Sequence, residues 1–187
     1  MIKVLVTHAV NDELIDIDMP GCEIRFIRTG IGKVKSAMRL MDAIWQESPD
    51  IILNIGTAGT LKHKVGDIFV CRNFVDRDLK KVECLGLDYT IDSSVFLDEK
   101  SYCMGWEHEG VCNTGDSFLT EVTDAEDDVF DMEAYAQAQV CILKEIPFVS
   151  VKYVTDVIGQ NSVKHWVDKL VDARMGLSEF FSEKKVI

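Results

Sequence analysis

Two apolar runs in the second half of the chain each deliver a carboxylate. Val129-Phe130-Asp131-Met132-Glu133-Ala134-Tyr135-Ala136 carries Glu133 from a short apolar lead-in into a small-residue, helix-forming stretch. Phe148-Val149-Ser150-Val151-Lys152-Tyr153-Val154 ends at Thr155-Asp156. In open α/β sheets, ligands bind outside the C-terminal ends of the strands. At such an edge one acid can hold a pair of sugar hydroxyls while the other gives a proton to a leaving group. Taken singly, either acid also reads as a helix cap or a solvated side chain.

Other short motifs could serve the same edge. Gly56-Thr57-Ala58-Gly59 follows the apolar run Ile51 to Ile55. Its glycines let a ligand approach the backbone, and Thr57 offers a hydroxyl; an ordinary strand-to-loop turn is the alternative. Gly30-Ile31-Gly32 precedes a helical stretch and could hold an anion on free backbone amides, or simply turn the chain. Its glycines are too few for a dinucleotide fingerprint. Phe118, after Gly115-Asp116-Ser117, could stack on a heterocycle or sit in the core. Glu13 lies beside Asn11 and Asp12 after the first apolar run, where an acid is ordinarily solvated surface. Histidines 8, 63, 108 and 165 have no metal-ligand spacing, so no metal and no cofactor are expected. No Gly-x-Ser-x-Gly elbow is present.

The elements that must position these residues follow from hydrophobic spacing. Ile2 to Thr7 and Cys22 to Arg28 read as strands, and Val34, Ala37, Met38, Met41, Ile44 and Trp45 as one face of an amphipathic helix. Ile51 to Ile55 reads as a buried strand broken by the glycines that follow. Ile68 to Val75 and Gly110 to Asn113 read as further strands, Ala134 to Lys144 as a helix, and the Phe148 run as a strand. Val163, Trp166, Val167, Leu170 and Val171 mark a terminal amphipathic helix. Residues 76–109 are mixed in charge and carry no clear period. The alternation predicts an α/β fold: a single domain with a central mixed, largely parallel sheet flanked by helices.

Composition narrows the partners. The 187 residues are 47% hydrophobic and 28% charged, a globular balance. With 32 acidic against 20 basic residues the net charge is −12, which repels nucleic acid and anionic membranes but not a small nucleoside. No apolar run approaches the roughly 20 residues of a membrane span. Six scattered cysteines without a C-x-x-C pair read as reduced, and a cytoplasmic location is expected.

Six pieces, in order, give the chain a resemblance. They are Gly30-Ile31-Gly32-Lys33-Val34, Asn54-Ile55-Gly56-Thr57-Ala58-Gly59, Val65-Gly66-Asp67-Ile68, Thr114-Gly115-Asp116-Ser117-Phe118, Asp131-Met132-Glu133-Ala134 and Val151-Lys152-Tyr153-Val154-Thr155-Asp156. Together they resemble the nucleoside phosphorylase and nucleosidase superfamily, most closely its 5′-methylthioadenosine/S-adenosylhomocysteine nucleosidases. The resemblance implies one nucleosidase-like domain over residues 1–187 and a homodimer. It implies Asp156 as the acid that protonates purine nitrogen-7, and Glu13 as the acid that holds and activates the attacking water. Glu133 with Met132 would bind ribose, Phe118 would stack on the base with Leu119 beside it, and Thr57 would sit near ribose and water. Thr155 is counted with these substrate-binding residues. Where Lys152 stands the family usually has an arginine that fixes the water, so Lys152 is the candidate for that task without a planar fork. The region after Val75 is shorter than the family's, so residues 76–109 leave the 5′ specificity open.

The expected activity is hydrolysis of the N-glycosidic bond of a purine nucleoside, adenosine-type and possibly 5′-thio. Asp156 would need burial to keep a proton near neutral pH, while Glu133 should stay ionised to face positive charge on the sugar. One alternative is a phosphate-dependent phosphorylase. Against it, the loop His8-Ala9-Val10-Asn11-Asp12-Glu13 is acidic and lacks glycine, so a phosphate dianion would be repelled. The other alternative is a nucleoside-binding protein with little turnover.

Overall fold

The computed structural model describes residues 1–160 and 162–184. Among the described residues, eight strands and five α-helices follow one another, with short 3-10 turns at Asn11–Glu13 and Glu83–Leu85. Strands β1 (Ile2–His8), β2 (Cys22–Arg28), β3 (Ile51–Thr60) and β4 (Ile68–Asp76) occupy the first half. Strands β5 (Thr90–Asp92), β6 (Glu109–Thr114), β7 (Val129–Asp131) and β8 (Phe148–Val157) follow. The helices are α1 (Lys33–Glu47), α2 (Arg77–Lys80), α3 (Ser94–Lys100), α4 (Ala134–Lys144) and α5 (Ser162–Glu183).

The sheet is mixed. β1 pairs in parallel with β2 and with β3, and β3 with β8. β4–β6 and β6–β7 are also parallel, whereas β4 runs antiparallel to β5 and to β8. β3 also meets β7 at one antiparallel position, Gly59 opposite Phe130. The pairings β3–β8–β4–β6–β7–β3 therefore close a ring, with β2–β1 extending from one side and β5 from the other. Closure brings the ends of β3, β7 and β8 to one rim, although β7 is far from both in sequence.

Side-chain alternation on the strands feeds two cores. Val4, Val6, Ile51, Leu53, Val149 and Val151 face Ala173, Leu177 and Phe181 of α5. Leu5, Ile52, Phe148 and Val154 face Leu40, Ala43 and Ile44 of α1 and Ala134, Ala138 and Cys141 of α4. Helices thus cover both faces, which is why the strands are apolar on both sides. Among the described residues no helix is long and apolar enough to cross a membrane. The six cysteines are all free thiols.

Four sequence expectations change. β3 does not stop at Ile55 but continues through Gly56-Thr57-Ala58-Gly59, because β8 pairs with it as far as Thr60 opposite Val157. A register shift between Ala58 and Gly59 marks where the strand bends. Residues 76–109 contain α2, β5 and α3, three elements too short to show a period. The apolar face expected for α1 is only half its core face: Ala37, Met41 and Ile44 pack on the core with Leu40 and Ala43, whereas Val34, Met38 and Trp45 are exposed, Trp45 by 86%. In α5, Val163, Val167 and Val171 likewise face outward, and Ala173, Leu177 and Phe181 form the core contact. Both helices carry two apolar stripes, and periodicity alone does not say which one meets the sheet.

Phe148 opens β8 and stacks at a tilt on Phe74 with ring centroids 5.2 Å apart, both rings buried. Phe148→Ala should cost about 3–5 kcal/mol in urea unfolding. The partly exposed Phe26→Ala on the edge strand β2 should cost under about 1 kcal/mol.

Candidate active site

The strand rim surrounds a cavity of 310 Å³. Glu13, Thr57, Phe118, Leu119, Met132, Glu133, Thr155 and Asp156 all line it. Among the expected site residues, Lys152 alone does not. Ala9, Val10, Ile31, Phe130 and Ile158 supply apolar wall, and Arg77, Asp131 and Trp166 are further lining residues that the sequence reading did not select.

Glu13 is buried, with four donors on its carboxylate. Oε2 accepts the backbone N–H groups of Ala9 at 3.0 Å and Val10 at 3.2 Å. Oε1 accepts the Thr57 N–H at 2.9 Å and the Thr57 hydroxyl at 2.8 Å. The 3-10 turn Asn11–Glu13 folds the acid back onto the end of β1, and β3 supplies Thr57. Gly56 makes this approach possible, since a Cβ there would stand 3.1 Å from Glu13 Oε1 and 3.5 Å from Lys152 Nζ.

Asp156 sits at the end of β8, buried, with the Thr155 hydroxyl 2.9 Å from its Oδ1. The same hydroxyl lies 3.3 Å from the Ala58 carbonyl, so its single proton can go to either acceptor. Gly59 leaves room for Asp156: a Cβ at 59 would be 3.1 Å from Oδ2.

Glu133 stands just before α4, and its Oε1 accepts the backbone N–H of Gly32 at 2.9 Å. The Gly30-Ile31-Gly32 turn thus spends its Gly32 amide on one of the protein's own carboxyl groups. The next amide, of Lys33, donates to Asp116 at 2.8 Å, and the Lys33 ammonium binds Asp78 at 2.8 Å and Asp76 at 3.1 Å. These bonds tie the start of α1 to α2 and to the loop that carries Phe118.

Lys152 has a partner the sequence reading did not name. Its ammonium, 2% exposed, pairs with Asp131 Oδ2 at 2.8 Å beneath the cavity. Asp131 also accepts the Thr114 hydroxyl and, at 2.9 Å, the Ala134 N–H. Burial alone would push the Lys152 ammonium down, but the Asp131 carboxylate outweighs it and the ammonium is held charged. Burial alone would push Asp131 up, and Lys152 outweighs that in turn and holds it down. Lys152 and Asp131 thus hold each other charged.

Glu133 is corrected. Burial first, and the neighbouring Asp131 carboxylate second, push its carboxyl up to about 8, against the opposing pull of Lys152 and Gly32. At neutral pH it holds a proton rather than standing ionised.

Arg77, in the stretch without a readable period, organises the rim. Its guanidinium donates to the carbonyls of Asn113 at 3.0 Å, Asp131 at 2.9 Å and Gly115 at 3.3 Å, and to that of Ser117. It thereby holds the ends of β6 and β7 against the loop bearing Phe118. Phe118 in turn meets Trp166 edge to face, with centroids 6.2 Å apart. Asp131 could have been noticed from sequence, since in an extended segment it shares a side with Glu133 two residues on. Trp166 carries no such signal beyond an indole on an amphipathic helix.

Two outcomes follow from the buried charges. Lys152→Met leaves Asp131 buried without its cation and should destabilise the fold by about 3–5 kcal/mol in denaturant unfolding. Glu133 has its pKa raised in the fold, so its contribution to stability is complete below about 4.5 and is lost as pH rises through about 8. Glu133→Gln should flatten the stability-versus-pH curve across that window; an unchanged difference between variant and wild type from pH 5 to 9 would contradict the shift.

Comparison with known proteins fits this geometry. The family model described as the Phosphorylase superfamily matches residues 10–101. The 5′-methylthioadenosine/S-adenosylhomocysteine nucleosidase of Bacillus cereus strain B4264 is 30% identical over 170 aligned residues, covering 77% of this chain and 72% of that protein. The crystal structure of the Helicobacter pylori nucleosidase of the same name, with butyl-thio-DADMe-Immucillin-A, superposes with a TM-score of 0.78 at 18% identity over 97% of both chains. The futalosine hydrolase of Helicobacter pylori strain 26695 superposes with a TM-score of 0.78 at 18% identity, over 97% of this chain and 96% of that one. The chain belongs to the 5′-methylthioadenosine/S-adenosylhomocysteine nucleosidase family.

Proposed function

We propose that this protein is a nucleosidase that hydrolyses the N-glycosidic bond of an adenosine-type purine nucleoside, releasing free base and sugar. The observation that carries the reading is the convergence of Glu13, Glu133 and Asp156 on one cavity whose wall includes the Phe118 ring. Breaking this bond puts positive charge on the sugar and negative charge on the base. Asp156 gives its proton to nitrogen-7 of the purine, so the electron pair of the broken bond leaves on a neutral base. Water attacks the sugar C1′ and Glu13 takes the water's proton. Each turnover ends with Glu13 protonated and Asp156 ionised, and solvent exchange resets both. Glu133, with Met132, grips the ribose hydroxyls, and Phe118 packs on the purine beside Leu119. Thr57 and Thr155 hold the two catalytic carboxyls in place.

Lys152 acts indirectly in this reading. It compensates Asp131, which otherwise would crowd Glu133 and Glu13 with uncancelled charge. A phosphorylase reading is disfavoured by the surroundings of Glu13. A phosphate dianion in the cavity would meet the Glu13 carboxylate, while the Lys152 ammonium is paired with Asp131 and the Arg77 guanidinium donates to backbone carbonyls.

We also infer that residues 1–187 act as one domain and that two copies associate. The outward stripe of Val34, Met38 and Trp45 on α1 offers an apolar face that a second copy would cover.

A panel of purine nucleosides with varied 5′ groups, each with and without phosphate, tests the activity by release of free base. Base release independent of phosphate is expected; release that requires phosphate would make the protein a phosphorylase, and tight binding without release would make it a binding protein. Asp156→Asn should cut kcat by about 10²–10⁴-fold while nucleoside binding persists. Near-normal turnover in that variant would remove Asp156 from the acid role.

A further inference from the structure

The Thr57 hydroxyl stands between two groups. It donates to Glu13 Oε1 at 2.8 Å, and it lies 2.9 Å from the indole Nε1 of Trp166. An indole nitrogen can only donate, and a hydroxyl has one proton to give. The direction of both bonds is therefore fixed: Trp166 to Thr57, Thr57 to Glu13. Three other donors already hold the carboxylate, but all three are backbone amides set by the fold. The Thr57 hydroxyl is the one rotor among the four. Without the indole it could turn its proton elsewhere and leave Glu13 Oε1 with a single donor.

Trp166 reaches this position from the first turns of α5, which follows directly on the end of β8 that bears Asp156. Its ring also meets Phe118 edge to face, so the placement of the indole is set from two sides.

We propose that Trp166 is a positioning residue for the hydrolysis: its indole N–H locks the Thr57 hydroxyl onto Glu13 and so keeps the water-activating carboxylate aligned. The inference rests on the nucleosidase reading with Glu13 as base. It extends the set of working groups to α5 and makes the start of that helix part of the apparatus that orients water. An aromatic wall alone would contribute binding area. A positioning N–H contributes to the rate step without changing how much nucleoside surface is covered.

Steady-state kinetics on a double-mutant cycle of Trp166→Phe and Thr57→Val separates these cases. Phenylalanine keeps the ring and removes only the N–H. Trp166→Phe should lower kcat roughly three- to tenfold, the scale of one hydrogen bond, with KM within about twofold. In the Thr57→Val background the same change should have almost no further effect. A rise in KM at unchanged kcat would make Trp166 a wall of the cavity and nothing more. Losses that multiply in the double variant would show that Trp166 does not act through Thr57. Either result overturns the proposal. The indole proton supplies a second readout that needs no activity. Its NMR resonance, assigned by its loss in Trp166→Phe, should shift and exchange faster in Thr57→Val. If it does neither, the hydrogen bond is absent and the proposal falls. If wild type releases no base from any nucleoside, the nucleosidase reading fails, and the indole proton still decides the alignment on its own.

Discussion

Four carboxyl groups share one small rim, and accommodating them is the constraint on which the rest of the structure depends. Glu13, Asp131, Glu133 and Asp156 come from a turn, two strand ends and a helix start, and all four are buried. Like charges this close cannot all stay ionised without compensation. The protein treats each differently. Asp131 receives the Lys152 ammonium, Glu13 receives four hydrogen-bond donors, and Glu133 keeps a proton while leaning on the Gly32 amide. Asp156 has a hydroxyl neighbour, Thr155, that can donate to it or to a carbonyl. The outcome is a set of acids with separate tasks in one cavity, which acid–base cleavage of a glycosidic bond requires.

Position follows from ring closure. β3 and β8 run side by side, so Thr57 and Asp156 lie near one another on neighbouring strands. β7 brings Asp131, and Glu133 two residues beyond it, to the rim only because β6 carries it around to meet β3 at Gly59. The glycines at 56 and 59 are small where the carboxyls of Glu13 and Asp156 press against the backbone. Arg77 and Lys33 then stitch the loops above the rim, Arg77 through carbonyls and Lys33 through Asp76 and Asp78.

Much of this was legible in the sequence. Apolar runs located most strands, and the motif order placed Glu13, Thr57, Phe118, Glu133 and Asp156 around what the structure makes a common cavity. What was not legible depends on partners distant in the chain. The continuation of β3 through its glycines requires β8 beside it. The core faces of α1 and α5 could not be chosen from two competing apolar stripes. The ion pair of Lys152 was not legible because its buried partner, Asp131, lies 21 positions away on another strand end. Arg77 sat in a stretch whose elements are shorter than a hydrophobic period can reveal. Glu133 changed its protonation state because burial and a neighbouring acid, neither visible locally, outweigh its ordinary preference for charge.

The most direct test of the account is the fate of oxygen during base release. With 5′-methylthioadenosine as the nucleoside, turnover in phosphate-free, ¹⁸O-enriched water should yield adenine and place one labelled oxygen on the sugar's anomeric carbon, as read by mass spectrometry. Intact nucleoside, or label-free sugar whose formation demands phosphate, would contradict the claim that the carboxyl-lined cavity directs water at the glycosidic bond.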